Sequence, residues 1–448
     1  MHSAIHPGLR RLGKRSGRGL HWGMSRRPFR TITPEGTEIL VEPLSHVRSC
    51  SVGFWVKRGS CCEEPEEEGL AHFIEHTVFK GTERYPGPQA MAEATDRLGG
   101  NVDAFTGKET ACFYGKVLGD QLPALVDLLG ELVTTPRFDE EELARERQVI
   151  LEEINQSEDQ PDDWACELFY ANFWPGGTLA HPILGTRQQV AGYQSDHARA
   201  FFRKTYRAPN LLIAAAGDVL PDAFLDLLQP ILARVPEGLV PVPARPNQPS
   251  PFLLNTPRRE LQQTSLVMGF PAYPHQHPDR MALNLLGYVL GGGMASRLFM
   301  ELREKHALCY QVSSYLSQYR DTGALQISAS CAPDRAQELV RRTVAECAKV
   351  RRDGITGDEL DRAKLQLRTS LVLNQESSSN RMFALAHQAI HMDCLRTLDE
   401  QIQEIDQVDL AQVRRVAQAV LLPQAFGVSA LGTGRATGIR PRDLTDGL

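Results

Sequence analysis

Phe138-Asp139-Glu140-Glu141-Glu142-Leu143-Ala144-Arg145 returns, at a sequence offset of 217, as Ile355-Thr356-Gly357-Asp358-Glu359-Leu360-Asp361-Arg362. Each copy leaves a turn and enters a helical pattern with acids in its first turn, where the helix macrodipole favours them. A stretch with six prolines, at 236, 241, 243, 246, 249 and 251, lies between the copies. Such a stretch is extended and cannot sit in a helix or a central strand. It joins a segment 27–235 to a segment 252–448 as a linker over 236–251. Each half alternates helical patterns with short β-type runs such as Leu211–Ala215 and Leu325–Ala329. The expected fold is α+β: two duplicated domains, each an antiparallel-type sheet packed with helices, joined by the proline-rich linker.

The chain has 448 residues, long enough for two or more domains. With 42% hydrophobic and 23% charged residues it is neither a disordered chain nor a coiled-coil rod. No apolar run approaches the roughly 18 residues that span a bilayer. The net charge of −6 argues against nucleic acid as a partner. Residues 1–34 carry eight Lys or Arg and no acid, so a net −14 falls on the remainder. That leader, taken as 1–26, lacks the apolar core of a secretory signal. Its composition fits a disordered basic tail, a stretch upstream of a start at Met24, or a mitochondrial transit segment. The expected compartment is therefore the cytoplasm, with the mitochondrial matrix as the alternative. Nine cysteines with no C-x-x-C spacing read as reduced thiols rather than a disulfide framework or thiolate metal site.

Gly69-Leu70-Ala71-His72-Phe73-Ile74-Glu75-His76 contains H-x-x-E-H, an inverted zincin motif. Neither Gly nor Pro interrupts Leu70–Lys80, so a helix is expected there. His72 and His76 then stand one turn apart on one face, a spacing at which two imidazoles share one Zn²⁺. Glu75 projects from nearly the same face, within reach of a water on the metal as general base.

A catalytic zinc takes a third protein ligand. With Leu143 at zero and about 100° per residue, Ile150 and Ile154 fall within about 20° of it and form an apolar stripe. Glu146 falls at about −60° and Glu153 at about −80°, on the side that should be buried. Glu152, Glu141, Gln148 and Arg145 fall on the opposite face. A buried carboxylate needs a cation or dense hydrogen bonding, which nominates both Glu146 and Glu153.

These stretches resemble the pitrilysin and mitochondrial processing peptidase family of zinc metallopeptidases. The resemblance runs through His72–His76 with Phe79-Lys80-Gly81-Thr82, and through Glu146-Arg147-Gln148-Val149-Ile150-Leu151-Glu152-Glu153. It implies one Zn²⁺ per chain held by His72, His76 and Glu153, with Glu146 supporting the site. Gly99-Gly100-Asn101-Val102-Asp103-Ala104-Phe105-Thr106 resembles the family's edge strand, which pairs with the substrate backbone. Asp103-Ala104 stands where relatives commonly have Asn-Ala. Read without the family, an ordinary strand after a Gly-Gly turn fits Asp103, Ala104, Phe105 and Thr106 equally well. Gly291-Gly292-Gly293-Met294-Ala295-Ser296-Arg297-Leu298-Phe299, with Arg303 and Tyr310 beyond it, resembles the family's Gly-rich segment. That match implies that Arg303 and Tyr310 bind substrate backbone and the developing oxyanion.

Moved by 217, His72, Glu75, His76, Glu146 and Glu153 become Val289, Gly292, Gly293, Ala363 and Ser370. One half would carry the metal and the other would be a degenerate copy lining the substrate chamber. The expected activity is zinc-dependent endopeptidase cleavage of peptides or unfolded polypeptides within a closed chamber. The alternatives are a non-catalytic core or adaptor subunit, or a subunit active only with a partner. Larger members of the family enclose the chamber with four such domains. Two imply a homodimer, or a heterodimer with a related subunit, in which the zinc of one copy faces Arg303 and Tyr310 of the other.

Overall fold

The computed structural model describes residues 27–238, 247–433 and 438–444. The basic leader 1–26 and the middle of the proline-rich stretch, 239–246, lie outside the described residues. Among the described residues eleven strands form two sheets. The first holds β1 (Phe29–Ile32), β2 (Glu38–Pro43), β3 (Ser49–Val56), β4 (Asn101–Thr106), β5 (Ala111–Leu118) and β6 (Leu211–Gly217), in the order β1-β2-β6-β3-β5-β4. The second holds β7 (Phe252–Pro257), β8 (Thr264–Pro271), β9 (Cys309–Gln318), β10 (Gly323–Cys331) and β11 (Gly427–Gly432), in the order β7-β11-β8-β10-β9.

Without β1, the two orders are the same. β2 and β6 pair in parallel, as do β7 and β11, and every other pairing is antiparallel. β6 and β11 each return after a long helical excursion, the kind of connection a parallel neighbour requires. The helices repeat as well. Displaced by 217, Leu122–Thr134, Glu140–Asp159 and Pro161–Phe173 fall on Ala336–Asp353, Gly357–Asn374 and Ser378–His387. The ends agree to within about three residues, the ordinary scatter of helix boundaries. The chain is a duplicated α+β fold, as the paired octapeptides imply.

Each sheet has a large core on one face. In the first, Ile39, Val52, Phe54 and Ile213 meet Phe73, Leu129 and Ile150 from helices of the same half. In the second, Met268, Leu325 and Val428 meet Leu286, Val344 and Val416. The opposite faces are covered by exchange between the halves. Helix Ser378–His387 sets Met382, Leu385 and Ala386 against Leu40, Trp55, Leu212 and Ala214 of the first sheet. Helix Pro161–Phe173 sets Ala165, Phe169 and Phe173 against Val267, Ala324 and Leu431 of the second. β6 and β11 are accordingly buried along their whole length. A run such as Leu-Leu-Ile-Ala-Ala-Ala-Gly, apolar at every position, is the pattern of a strand packed on both faces. All nine cysteines are free thiols. Among the described residues no helix is long and apolar enough to cross a membrane.

Candidate metal centre

The motif helix, Leu70–Val78, starts at a position only glycine fits. Gly69 has φ of 89°, and a Cβ there would stand 2.7 Å from Gly185 Cα and from the Leu184 carbonyl oxygen. The buried carboxylate of Glu63 accepts the backbone N–H groups of Gly69 at 2.8 Å and Ala71 at 2.7 Å. It serves as the cap that Gly69 cannot supply. Phe73, Ile74 and Val78 are buried in the core and fix the helix roll. His72 and His76 project together, ring centroids 4.6 Å apart.

Helix Glu140–Asp159 packs across them. Leu143, Ile150 and Ile154 form its buried stripe, Glu146 is also buried, and Glu152 is exposed. Glu153 is half-buried. Its Oε2 lies 3.7 Å from His72 Nε2 and 3.6 Å from His76 Nε2. One ligand atom from each of the three residues falls within 4.8 Å of the others. Behind His76, Nδ1 faces Glu146 Oε2 at 3.2 Å, and Glu146 Oε1 pairs with Lys80 Nζ at 2.8 Å. Glu146 thereby turns His76 Nε2 toward Glu153.

The donor set fits a metal ion. His72 Nδ1 and Glu153 Oε2 are buried without a hydrogen-bond partner among the described residues. Buried polar atoms are ordinarily paired, and Glu153 Oε2 points at two imidazole nitrogens. Two imidazoles and one carboxylate make the three-protein-ligand set of a catalytic zinc site. Burial, helped by the neighbouring His76, lowers the pKa of His72 to about 3, so its ring is neutral. Burial also opposes charge on His76, but the Glu146 hydrogen bond and the carboxylates around it prevail and raise its pKa. Glu75 titrates above the usual carboxylate range. Burial is the main cause, opposed by a hydrogen bond from Thr106 and reinforced by the charges of Glu153 and Asp103.

Thr106 belongs to β4, the terminal strand of the first sheet among the described residues. Its Oγ1 donates to Glu75 Oε2 at 2.6 Å, fastening the edge strand to the motif helix. Exposed and half-buried residues alternate along β4. Asp103 Oδ1 accepts the N–H of Ala104 at 2.8 Å, and Asp103 Oδ2 accepts from Tyr114 Oη at 3.2 Å. Phe105 packs against Tyr114 and against Phe383 of the second half.

Arg303 and Tyr310 stand elsewhere. Beyond the three glycines, Arg297 forms a two-pronged pair with Glu359, Nε–Oε1 at 2.7 Å and Nη2–Oε2 at 2.8 Å. The Arg303 guanidinium lies over the Phe299 and Tyr310 rings, 4.6 and 4.9 Å from their centroids. It also pairs with Glu304 at 3.5 Å. Tyr310 is 80% exposed, at the start of the edge strand β9. Among the described residues no hydrogen bond, ion pair or ring contact joins either residue to the histidine cluster. The structure therefore brings His72, Glu75, His76, Glu146, Glu153 and Thr106 together and leaves Arg303 and Tyr310 on an open face of the other half. Sequence reasoning gave Lys80 no role, although it lies in the turn just after the motif helix, close behind His76 in sequence.

A duplicated α+β chain with a two-histidine, one-glutamate cluster on crossing helices defines a class, and comparison with known proteins places the chain within it. Residues 39–187 match the family model described as insulinase (peptidase family M16), and residues 193–367 match the model described as the peptidase M16 inactive domain. A Mycobacterium tuberculosis protein named as an uncharacterized zinc protease is 35% identical over 425 residues, covering 93% of this chain and 96% of that protein. A Bacillus subtilis protein, YmxG, also named as an uncharacterized zinc protease, is 35% identical over 383 residues, covering 86% of this chain and 93% of that protein. The chain belongs to peptidase family M16. Its fold is shared with a peptidase M16 inactive domain from Pseudomonas fluorescens (TM-score 0.86, 21% identity, covering 93% of this chain and 100% of that one). It is shared equally with a protease from Helicobacter pylori (TM-score 0.85, 22% identity, covering 90% and 99%).

Proposed function

We propose that this chain is a zinc-dependent endopeptidase acting on extended peptides or unfolded polypeptides. The observation that carries the reading is the convergence of His72 Nε2, His76 Nε2 and the unpartnered Glu153 Oε2 beside Glu75. His72, His76 and Glu153 would hold one zinc ion per chain. Bound there, zinc polarises a carbonyl and lowers the pKa of a coordinated water from 15.7 toward about 7. Glu75 takes the proton of the attacking water and passes it to the leaving amine. Thr106 holds one Glu75 oxygen and so orients the other. The free edge of β4 binds the substrate backbone through main-chain hydrogen bonds, which give affinity with little sequence preference.

In this reading 27–235 is the metal-bearing domain and 252–448 the degenerate one. Two copies close the chamber as a homodimer, and Arg303 and Tyr310 of one copy reach the oxyanion at the site of the other. The exposed Tyr310 and the cation held over its ring support that placement.

Glu75→Gln tests the reading. The variant should retain one zinc ion by metal analysis and lose cleavage of an unfolded peptide by about 10²-fold or more, the usual contribution of a general base. Wild-type cleavage by that variant would end the assignment.

A further inference from the structure

A second cluster of metal-ligating side chains lies where the two halves meet. His275 follows β8, and its backbone N–H donates to the Tyr319 carbonyl at 3.1 Å, which fixes the loop. His387 ends the helix seated on the first sheet, and His391 stands one turn on. Between them the helix widens into a π turn, Gln388–Met392, a distortion frequent at functional sites. The three rings are mutual neighbours, with centroids 4.3 Å apart for His275–His391, 4.9 Å for His387–His391 and 5.2 Å for His275–His387. One ring nitrogen from each lies within 4.8 Å of the other two.

Two further observations separate this cluster from ordinary packing. First, His391 Nδ1 faces Glu109 Oε2 at 3.4 Å, while Glu109 Oε1 accepts the Arg320 backbone N–H at 2.9 Å. A carboxylate behind an imidazole fixes its tautomer and frees Nε2 for a metal, the relation Glu146 bears to His76. Second, the duplication supplies a control. Moved back by 217, His387 and His391 become Tyr170 and Trp174. There the same helix position serves packing: Trp174 lies against Tyr170 and Tyr319, and Tyr319 Oη donates to Tyr170 Oη at 2.9 Å. Where one half packs phenol and indole, the other gathers three imidazoles. Among the described residues the His387 ring makes no hydrogen bond, and three imidazoles this close resist being charged together.

We propose that His275, His387 and His391 form a second divalent-metal site, of the class that imidazole selects (zinc, nickel, copper or cobalt), with Glu109 orienting His391. Ligand bonds of about 2.0–2.1 Å put tetrahedral donors roughly 3.4 Å apart, a modest closure of the present spacing. A bound ion would tie the His275 loop of the second half to the helix covering the first sheet. The Glu109 turn, between β4 and β5, would be tied in through His391.

The test is metal counting on the full-length protein, stripped with chelator and titrated with Zn²⁺. The wild type should take two ions per chain, His76→Gln one, and His391→Gln one. His387→Gln should also take one, and because His387 is exposed that substitution spares the fold. The His76→Gln/His387→Gln double variant should take none, and the ion left in His76→Gln, replaced by Co²⁺, should show nitrogen ligation by X-ray absorption. A zinc count that His387→Gln and His391→Gln both leave at the wild-type value overturns the assignment.

Discussion

Glu146 Oε2 stands 3.2 Å from His76 Nδ1, behind the ring whose Nε2 faces Glu153. Its pKa lies below the usual carboxylate range: burial opposes charge, but hydrogen bonds from His76 and Lys80 outweigh it. The charged carboxylate therefore holds His76 in the tautomer that offers Nε2. Glu146→Gln should weaken zinc binding by about 10–100-fold, the range found when such supports are removed. Competition with a chromogenic chelator measures this, and unchanged affinity would show that His76 is oriented without Glu146.

The free edge of β4 has an occupant of its own. Asp103 Oδ1 takes the Ala104 N–H at 2.8 Å, a main-chain donor of this edge strand. A peptide that adds to the edge through that donor must displace the carboxylate. A net hydrogen bond is worth about 0.5–1.5 kcal/mol, so Asp103→Ala should lower KM for an uncharged peptide about three- to tenfold. An unchanged or higher KM would mean that substrate does not use the Ala104 N–H.

The primary structure disclosed these features unevenly, for physical reasons. The repeat was legible because both copies of the long helix begin with the same turn-and-acid chemistry at a fixed distance. The buried side of Glu140–Asp159 was legible in part because Glu146 and Glu153 interrupt an apolar stripe: Glu146 is buried and Glu153 half-buried. The exchange of helices between the sheets was not legible. An apolar run such as Leu211–Gly217 announces burial on both faces but not which helix supplies the second cover. The edge position of β4 was legible only through the family resemblance, since an edge and an interior strand carry similar residues. His275, His387 and His391 were invisible for a different reason. His275 is remote in sequence from the other two, and they meet only because helix Ser378–His387 crosses to the other sheet.

Arg297 and Glu359 fasten the glycine-rich segment to helix Gly357–Asn374. Burial raises the pKa of Glu359, but hydrogen bonds from Arg297 and Thr356 prevail and hold it at about 2, against an ordinary value of 4.5. A depressed carboxylate pKa contributes stability that is complete above about pH 4.5 and fades as the pH falls toward 2. Glu359→Gln should therefore cost roughly 1–3 kcal/mol at pH 7. The difference from wild type should shrink steadily between about pH 5 and pH 2. Urea unfolding of both proteins across that range measures it, and a pH-independent difference would assign the loss to packing instead of charge.

Arg303 and Tyr310 decide between a site completed by a second copy and one completed within the chain. If each site combines the zinc of one copy with Arg303 and Tyr310 of another, Glu75→Gln and Arg303→Ala damage complementary surfaces. In a mixed dimer one site carries both lesions. The other joins the intact Glu75 of one copy to the intact Arg303 of its neighbour and should work. Dissociating two inactive variants and reassociating them should restore up to about a quarter of wild-type activity, since half the dimers are mixed and each holds one intact site. If each chain completes its own site, every site in the mixture carries one lesion and no activity returns. The exposed Tyr310, with Arg303 packed over its ring and no bond to the histidine cluster, favours recovery.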